Sequence, residues 1–145
     1  MKDAEIFEVE LQDVFNYRFS YGGQSPYFKG LENGKLVASK CSKCGFVWLP
    51  LRPMCSRCYS TTETMELSGE GEVLCSLVLV SPPPHLKHIK FPVASSLIKP
   101  DGADTCIKAM VVSEKGVFAK GTRVKATFMG EIKTIADFYF VTIGD

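Results

Sequence analysis

No stretch of this 145-residue chain approaches the roughly 18 consecutive apolar residues that cross a bilayer as a helix. A charge excess of one sign is missing too: 17 Lys and Arg stand against 16 Asp and Glu, a net charge of +1. That balance removes any global argument for nucleic acid or an acidic membrane surface as partner. The start, Met1-Lys2-Asp3-Ala4-Glu5, lacks the apolar core of a secretory leader, so a reducing, cytoplasmic location is expected. Histidine is scarce: there are 2, His85 and His88, both in one proline-rich stretch. No paired carboxylates, nucleophile elbow or glycine-rich phosphate loop is evident. These gaps predict a chain without catalytic residues of its own.

What is present is cysteine in a pattern. Cys41-Ser42-Lys43-Cys44 and Cys55-Ser56-Arg57-Cys58 form two C-x-x-C pairs. Each pair lets two thiolates converge on one ion, and two pairs complete a tetrahedron with no open position. Such a closed site fits a structural zinc with Cys41, Cys44, Cys55 and Cys58 as ligands. Iron in the same four thiolates, for electron transfer, is an alternative the knuckles permit. Cys75 and Cys106 stand apart in alternating apolar segments and are expected as buried core thiols.

Three segments follow. In residues 1–34 two periods compete at the start. Phe7, Val9 and Leu11 alternate like a strand, whereas Phe7, Leu11, Val14 and Phe15 match a helical stripe. A helix over about 8–18 is favoured, its acidic residues suiting the N-terminal half. Ser25-Pro26 then opens a second short helix that carries Tyr27, Phe28 and Leu31 inward and stops at Asn33-Gly34. The aromatics Tyr17, Phe19, Tyr21, Tyr27 and Phe28 are expected in the core or docked on the next segment. Residues 35–67 read as a zinc ribbon, with short strands at Leu36-Val37-Ala38 and Phe46-Val47-Trp48-Leu49 and a glycine, Gly45, where the knuckle turn needs positive φ. Trp48 is expected to pack over a knuckle. So small a module cannot fold on apolar burial alone. Residues 68–145 carry five strand patterns: Gly71–Ser81, Val93–Ile98, Thr105–Val112, Arg123–Met129 and Ala136–Ile143. Five short strands in that length suggest an OB-fold barrel. The predicted fold is mainly β with N-terminal helices, a zinc ribbon followed by a five-stranded OB-fold barrel.

An ordered set of motifs then carries a resemblance. Phe28-Lys29-Gly30-Leu31 and Gly34-Lys35-Leu36 precede the two knuckles; Leu67-Ser68-Gly69-Glu70-Gly71-Glu72-Val73 opens the barrel; Gly121-Thr122-Arg123-Val124 and Tyr139-Phe140 lie later. The combination resembles the DUF35 family of zinc-ribbon plus OB-fold proteins, from about Phe15 onward. One departure is Leu49-Pro50-Leu51-Arg52, where the family often has two consecutive prolines before the arginine. The resemblance implies a small subunit that accompanies a thiolase-fold catalytic subunit. Such complexes include acetoacetyl-CoA and benzoylsuccinyl-CoA thiolases, acyltransferases and thiolase-like aldolases.

Acyl-CoA is therefore the ligand class to test against the residues. Between Asn33 and Thr62 every charged side chain is basic: Lys35, Lys40, Lys43, Arg52 and Arg57. Part of this basicity offsets the charge of about −2 that four thiolates and a zinc ion carry. The rest, with His85, Lys87, His88 and Lys90 on the loop from Ser81 to Pro92, forms the candidate contact set for acyl-CoA or an acidic partner surface. A solvated connector is the plain alternative for that loop. A nucleic-acid module is the competing function class, disfavoured by the net charge and by barrel aromatics that cluster late in the chain.

Overall fold

The structure, a computed structural model, describes residues 7–18 and 20–144. Among these residues one α-helix, α1 (Ser25–Glu32), follows a 3-10 turn at Gly22–Gln24. Pro26 sits in its first turn, where a missing N–H costs nothing. Tyr27, Phe28 and Leu31 are buried from it, and the chain leaves through Gly34 at φ +69°. Gly30 lets the helix lie close on its neighbour: a Cβ there would stand 2.4 Å from a Val37 methyl.

The helix expected over about 8–18 is not formed. Residues 7–18 are irregular and exposed, with Phe7 91%, Leu11 83%, Val14 73% and Phe15 70% accessible. Among the described residues the apolar stripe stays exposed instead of packing on another element, and a short isolated helix is marginal in water. Of the five aromatics read there, Tyr27 and Phe28 are buried, Tyr21 stacks on Phe28 at 3.7 Å, and Tyr17 is exposed; Phe19 lies outside the described residues.

Two sheets follow. β1 (Leu36–Cys41) is central in the first, flanked by β2 (Val47–Trp48) and β3 (Thr62–Leu67), all antiparallel. The sequence reading left β3 unmarked, because Leu67 is its one buried residue. Its register on β1 runs unbroken from Leu36↔Leu67 to Cys41↔Thr62.

The second sheet is a closed barrel of β4 (Glu70–Val78), β5 (Val93–Pro100), β6 (Ile107–Val112), β7 (Arg123–Phe128) and β8 (Phe138–Thr142), in the order β4-β5-β6-β8-β7. β6 and β8 are parallel, the other neighbours antiparallel. This is the five-stranded OB-fold architecture. Gly71 serves barrel closure, since a Cβ there would stand 2.7 Å from the Lys99 carbonyl oxygen.

β4 holds a bulge. Val73 pairs Ile98, and Cys75 pairs Leu97, so Leu74 is the extra residue. Before it Val73 points into the barrel, fully buried. After it the facing reverses: Ser76 turns inward and shares a 2.7 Å hydrogen bond with buried Ser96, while Cys75 and Leu77 are exposed. This overturns the expectation of Cys75 as a core thiol. Cys106, just before β6, is exposed as well.

One continuous apolar core joins helix, ribbon and barrel, from Tyr27, Leu31 and Leu36 through Leu49 and Leu51 to Val73, Ile98, Val124 and Phe140. A second, small cluster lies outside the barrel: Leu86 of the β4–β5 loop is fully buried over Val93 and Val112.

Candidate functional site

The two knuckles are built alike, bond for bond. Cys41 N donates to Phe46 O at 2.9 Å, and Cys55 N to Ser60 O at 2.9 Å. Gly45 N donates to Cys41 O at 3.0 Å, and Tyr59 N to Cys55 O at 2.9 Å. The fifth residue of each turn has positive φ, +73° at Gly45 and +55° at Tyr59. β1 supplies Cys41, the isolated bridge Met54↔Thr61 closes the second turn, and the Ser42 N–H and hydroxyl, donating to the Thr61 carbonyl at 3.4 and 3.1 Å, tie it to the first.

These turns bring four sulfurs together. Cys41 Sγ lies 3.4 Å from Cys58 Sγ, Cys44 Sγ lies 3.7 Å from Cys55 Sγ, and all four fall within 4.8 Å of one another. A regular tetrahedron with Zn–S bonds of about 2.3 Å has S···S edges of about 3.8 Å. The donor set therefore fits one tetrahedral ion. Among the described residues this is the one such cluster of potential ligands. Acidity differs within it. The backbone N–H of Phe46 lowers the Cys44 thiol, but burial and the other three cysteine sulfurs outweigh it and push the pKa up to about 11. Burial works against ionisation of Cys55, yet the backbone N–H of Arg57, the Trp48 indole, the backbone N–H of Cys58 and the Cys44 side chain together bring it down to about 6.

The two ribbon arginines cover aromatic rings. The Arg52 guanidinium lies 4.7 Å from the Trp48 ring centre, and that of Arg57 lies 4.8 Å from Phe46; the two rings pack at 4.5 Å. Trp48 thus belongs to the metal module. A cation on each ring also sets positive charge beside the thiolates, as the offsetting role requires.

His85, Lys87, His88 and Lys90 lie on the other candidate element, the β4–β5 loop. A 3-10 turn at Pro84–Leu86 orders it, and buried Leu86 pins it to the barrel. His88 and Lys90 line a cavity of about 390 Å³ with Ile89, Phe91, Tyr139 and Val141. His85 and Lys87 are exposed outside that lining. The sequence reading missed Tyr139 and Val141 as cavity residues, because the parallel β6–β8 pairing that places them beside Val112 has no signature in the chain.

Comparison with known proteins settles the family. A DUF35 domain-containing scaffold protein of Methanocaldococcus jannaschii is 31% identical over 112 residues, 75% of this chain and 77% of the relative. The chain belongs to the DUF35 family. Residues 28–64 match the ChsH2 rubredoxin-like zinc ribbon domain. Two solved structures share the fold at 21% identity. One is a DUF35 protein of unknown function from Sulfolobus solfataricus, with a TM-score of 0.63 over 87% of this chain and 89% of that one. The other is a chain of an Ltp2-ChsH2(DUF35) aldolase, with a TM-score of 0.61 over 87% of this chain and 97% of that one. No helix among the described residues is long and apolar enough to cross a membrane.

Proposed function

We propose that this DUF35 chain is a non-catalytic subunit of a thiolase-type acyl-CoA complex. It docks on a thiolase-fold catalytic subunit and helps to hold and enclose the acyl-CoA. The observation that carries the reading is apolar surface left uncovered among the described residues. Phe7, Leu11, Val14, Phe15 and Tyr17 are exposed on the N-terminal arm, Leu77 and Val78 at the end of β4, and Val80, fully accessible, in the loop after it. Surface of this kind marks protein interfaces. A relative named as a scaffold protein and a fold neighbour named as part of an aldolase point the same way.

Zinc fits the four cysteines as a structural ion. It would supply cohesion to the ribbon and leave no coordination position for substrate. Acyl-CoA is assigned to the barrel side. The cavity under the β4–β5 loop offers Ile89, Phe91, Tyr139 and Val141 to an acyl or pantetheine chain, and His88 and Lys90 to an anionic end, with Glu114 as the acid at its edge. A β-oxoacyl-CoA thiolase is the leading partner; a thiolase-like acyltransferase or aldolase is the second.

Co-expression with the thiolase-fold protein encoded nearby tests the reading. The two chains are expected to co-purify, and removal of this one is expected to lower acyl-CoA turnover. A catalytic subunit fully active alone, with no stable complex, would refute it.

A further inference from the structure

β4 keeps one side open over its second half. Leu79 N donates to Val93 O at 2.9 Å, and the register runs back through Val78↔Ala94, Leu77↔Ser95 and Ser76↔Ser96. Alternate residues of an antiparallel ladder face the neighbouring strand. Leu77 and Leu79 therefore bond to β5, while Ser76 and Val78 turn their N–H and C=O groups the other way. The 2.7 Å contact between the Ser76 and Ser96 hydroxyls fits this phase, since side chains lie closer at a non-hydrogen-bonded pair. On the open side β7 pairs with β4 at Glu70, Gly71 and Glu72, and the last bonds join Val73 to Thr122 and Gly121. Beyond Val73 no strand among the described residues pairs with that side.

An open edge is a template for another strand, and proteins commonly guard it with charge or proline. The stretch Leu74-Cys75-Ser76-Leu77-Val78-Leu79-Val80 has neither. Beside it Cys75, Leu77, Ser95 and Leu97 line a groove on the outer wall, which Lys108 also lines. This edge is complementary to itself. Its open residues, Ser76 and Val78, stand one on each side of Leu77. A two-fold axis at Leu77 therefore sets Ser76 of one copy opposite Val78 of the other. An uncharged stretch does not repel its own copy. Lys108 does not either, because it lies two strands in, opposite Leu97. Two copies of it would stand about five strand spacings apart, roughly 24 Å, well beyond the screening length of about 8 Å.

We propose that a second copy of this chain adds to this edge, β4 against β4, antiparallel about Leu77. Ser76 and Val78 exchange backbone hydrogen bonds with Val78 and Ser76 of the second copy. The two Leu77 side chains meet on the outer wall, flanked by the two Leu97. The N-terminal arm is then the apolar surface left for the catalytic subunit, and the complex is built on a pair of these chains.

Sedimentation of the full zinc-loaded chain, without any partner, is expected to give twice the 16.0 kDa of one chain at micromolar concentration. Val78→Pro removes an N–H that β5 does not use. It is expected to weaken the dimer about thirtyfold, the factor for two hydrogen bonds of ordinary strength. Leu77→Lys sets two like charges face to face and is expected to give a monomer. Both variants should keep the wild-type circular dichroism. In a background of Cys75→Ser and Cys106→Ser, Leu77→Cys is expected to oxidise in air to a covalent dimer, its Cα about 4.5 Å from its mate. Leu97→Cys, one strand further in, is not. A monomeric wild type overturns the proposal, and so does a dimer that survives Leu77→Lys without a Leu77→Cys cross-link. A dimer lost on removal of residues 1–18 gives the edge to the arm of the second copy and overturns it as well. A monomeric wild type whose Leu77→Lys variant fails to co-purify with the catalytic subunit assigns the edge to that subunit, which sinks this proposal and leaves the functional one standing.

Discussion

Asp104 and Val47 hold each other by two hydrogen bonds. The Val47 N–H donates to Asp104 Oδ2 at 2.8 Å, and the Asp104 N–H donates to the Val47 carbonyl at 2.9 Å. Next to them the Thr105 hydroxyl accepts from Leu49 N and donates to Leu49 O, at 2.9 and 2.7 Å. The turn between β5 and β6 thereby acts as an extra edge for β2, and it sews ribbon to barrel.

Asp104→Ala is expected to cost about 1.5–3 kcal/mol, the range for losing a hydrogen bond to a charged acceptor. Asp104→Asn retains a carbonyl oxygen and should lose less. Urea denaturation measures both. Faster amide exchange at Val47 in the alanine variant would place the loss at this seam, and an unchanged midpoint would show that Thr105 suffices.

Tyr27→Phe isolates the tie between α1 and the barrel. The buried Tyr27 hydroxyl donates to the Ile135 carbonyl at 2.8 Å, and burial raises its pKa so that it stays protonated. Its removal is expected to cost about 1 kcal/mol. Increased exchange in residues 133–137, measured by NMR, would accompany it.

Tyr59→Gly is expected to stabilise the protein. Tyr59 stands at φ +55° where the sister knuckle has Gly45, and 80% of its surface is exposed. A left-handed conformation costs an L-residue about 1–2 kcal/mol, part of which glycine returns through the greater freedom of its unfolded chain. A net gain of about 0.5–1 kcal/mol in thermal or urea unfolding is the expected result. If assembly with the catalytic subunit weakens in the same variant, the strained tyrosine is there for the partner.

Stripping the metal, or Cys41→Ser, should unfold the ribbon, because structural zinc contributes on the order of 10 kcal/mol to such modules. The damage should spread, since Leu36, Leu49 and Leu51 share one core with the barrel. Circular dichroism and co-purification report it. A serine variant that stays folded, metal-free and fully assembled would contradict the structural role of the ion.

Asp137 gives a pH dependence with a definite sign. Burial tends to raise its pKa, but the N–H groups of Lys133 and Thr134, the Thr134 hydroxyl and the charge of His85 outweigh that and hold it below the ordinary 3.8. A carboxylate depressed in the folded state adds stability above its unfolded pKa and loses that increment as pH falls through the lower folded value. Asp137→Asn should therefore flatten the decline in stability below about pH 4. NMR titration of residues 133–137 locates the folded pKa.

The cysteine spacing made the ribbon legible, and the alternating apolar runs made all five barrel strands legible. Both signals are local. The chain also showed α1, since Pro26 and Gly34 bracket it. What could not be read depends on pairing across distance. The parallel contact of β6 with β8 places Tyr139 and Val141 in the cavity, and no local period encodes it. The extra residue at Leu74 leaves the alternation intact on paper while it inverts the facing in space. The stripe at Phe7, Leu11, Val14 and Phe15 was read as a helix because periodicity records a demand for apolar contact without saying which molecule meets it.

The Leu74 bulge works like a frame shift along a single strand. Upstream of it, odd-numbered positions answer to the barrel interior; downstream, odd-numbered positions answer to whatever lies outside. Were Leu74 instead paired regularly with Leu97, Cys75 and Leu77 would swing into the barrel and Ser76 out to solvent. One inserted residue thus lets β4 address two audiences, the fold with its first half and a neighbour with its second.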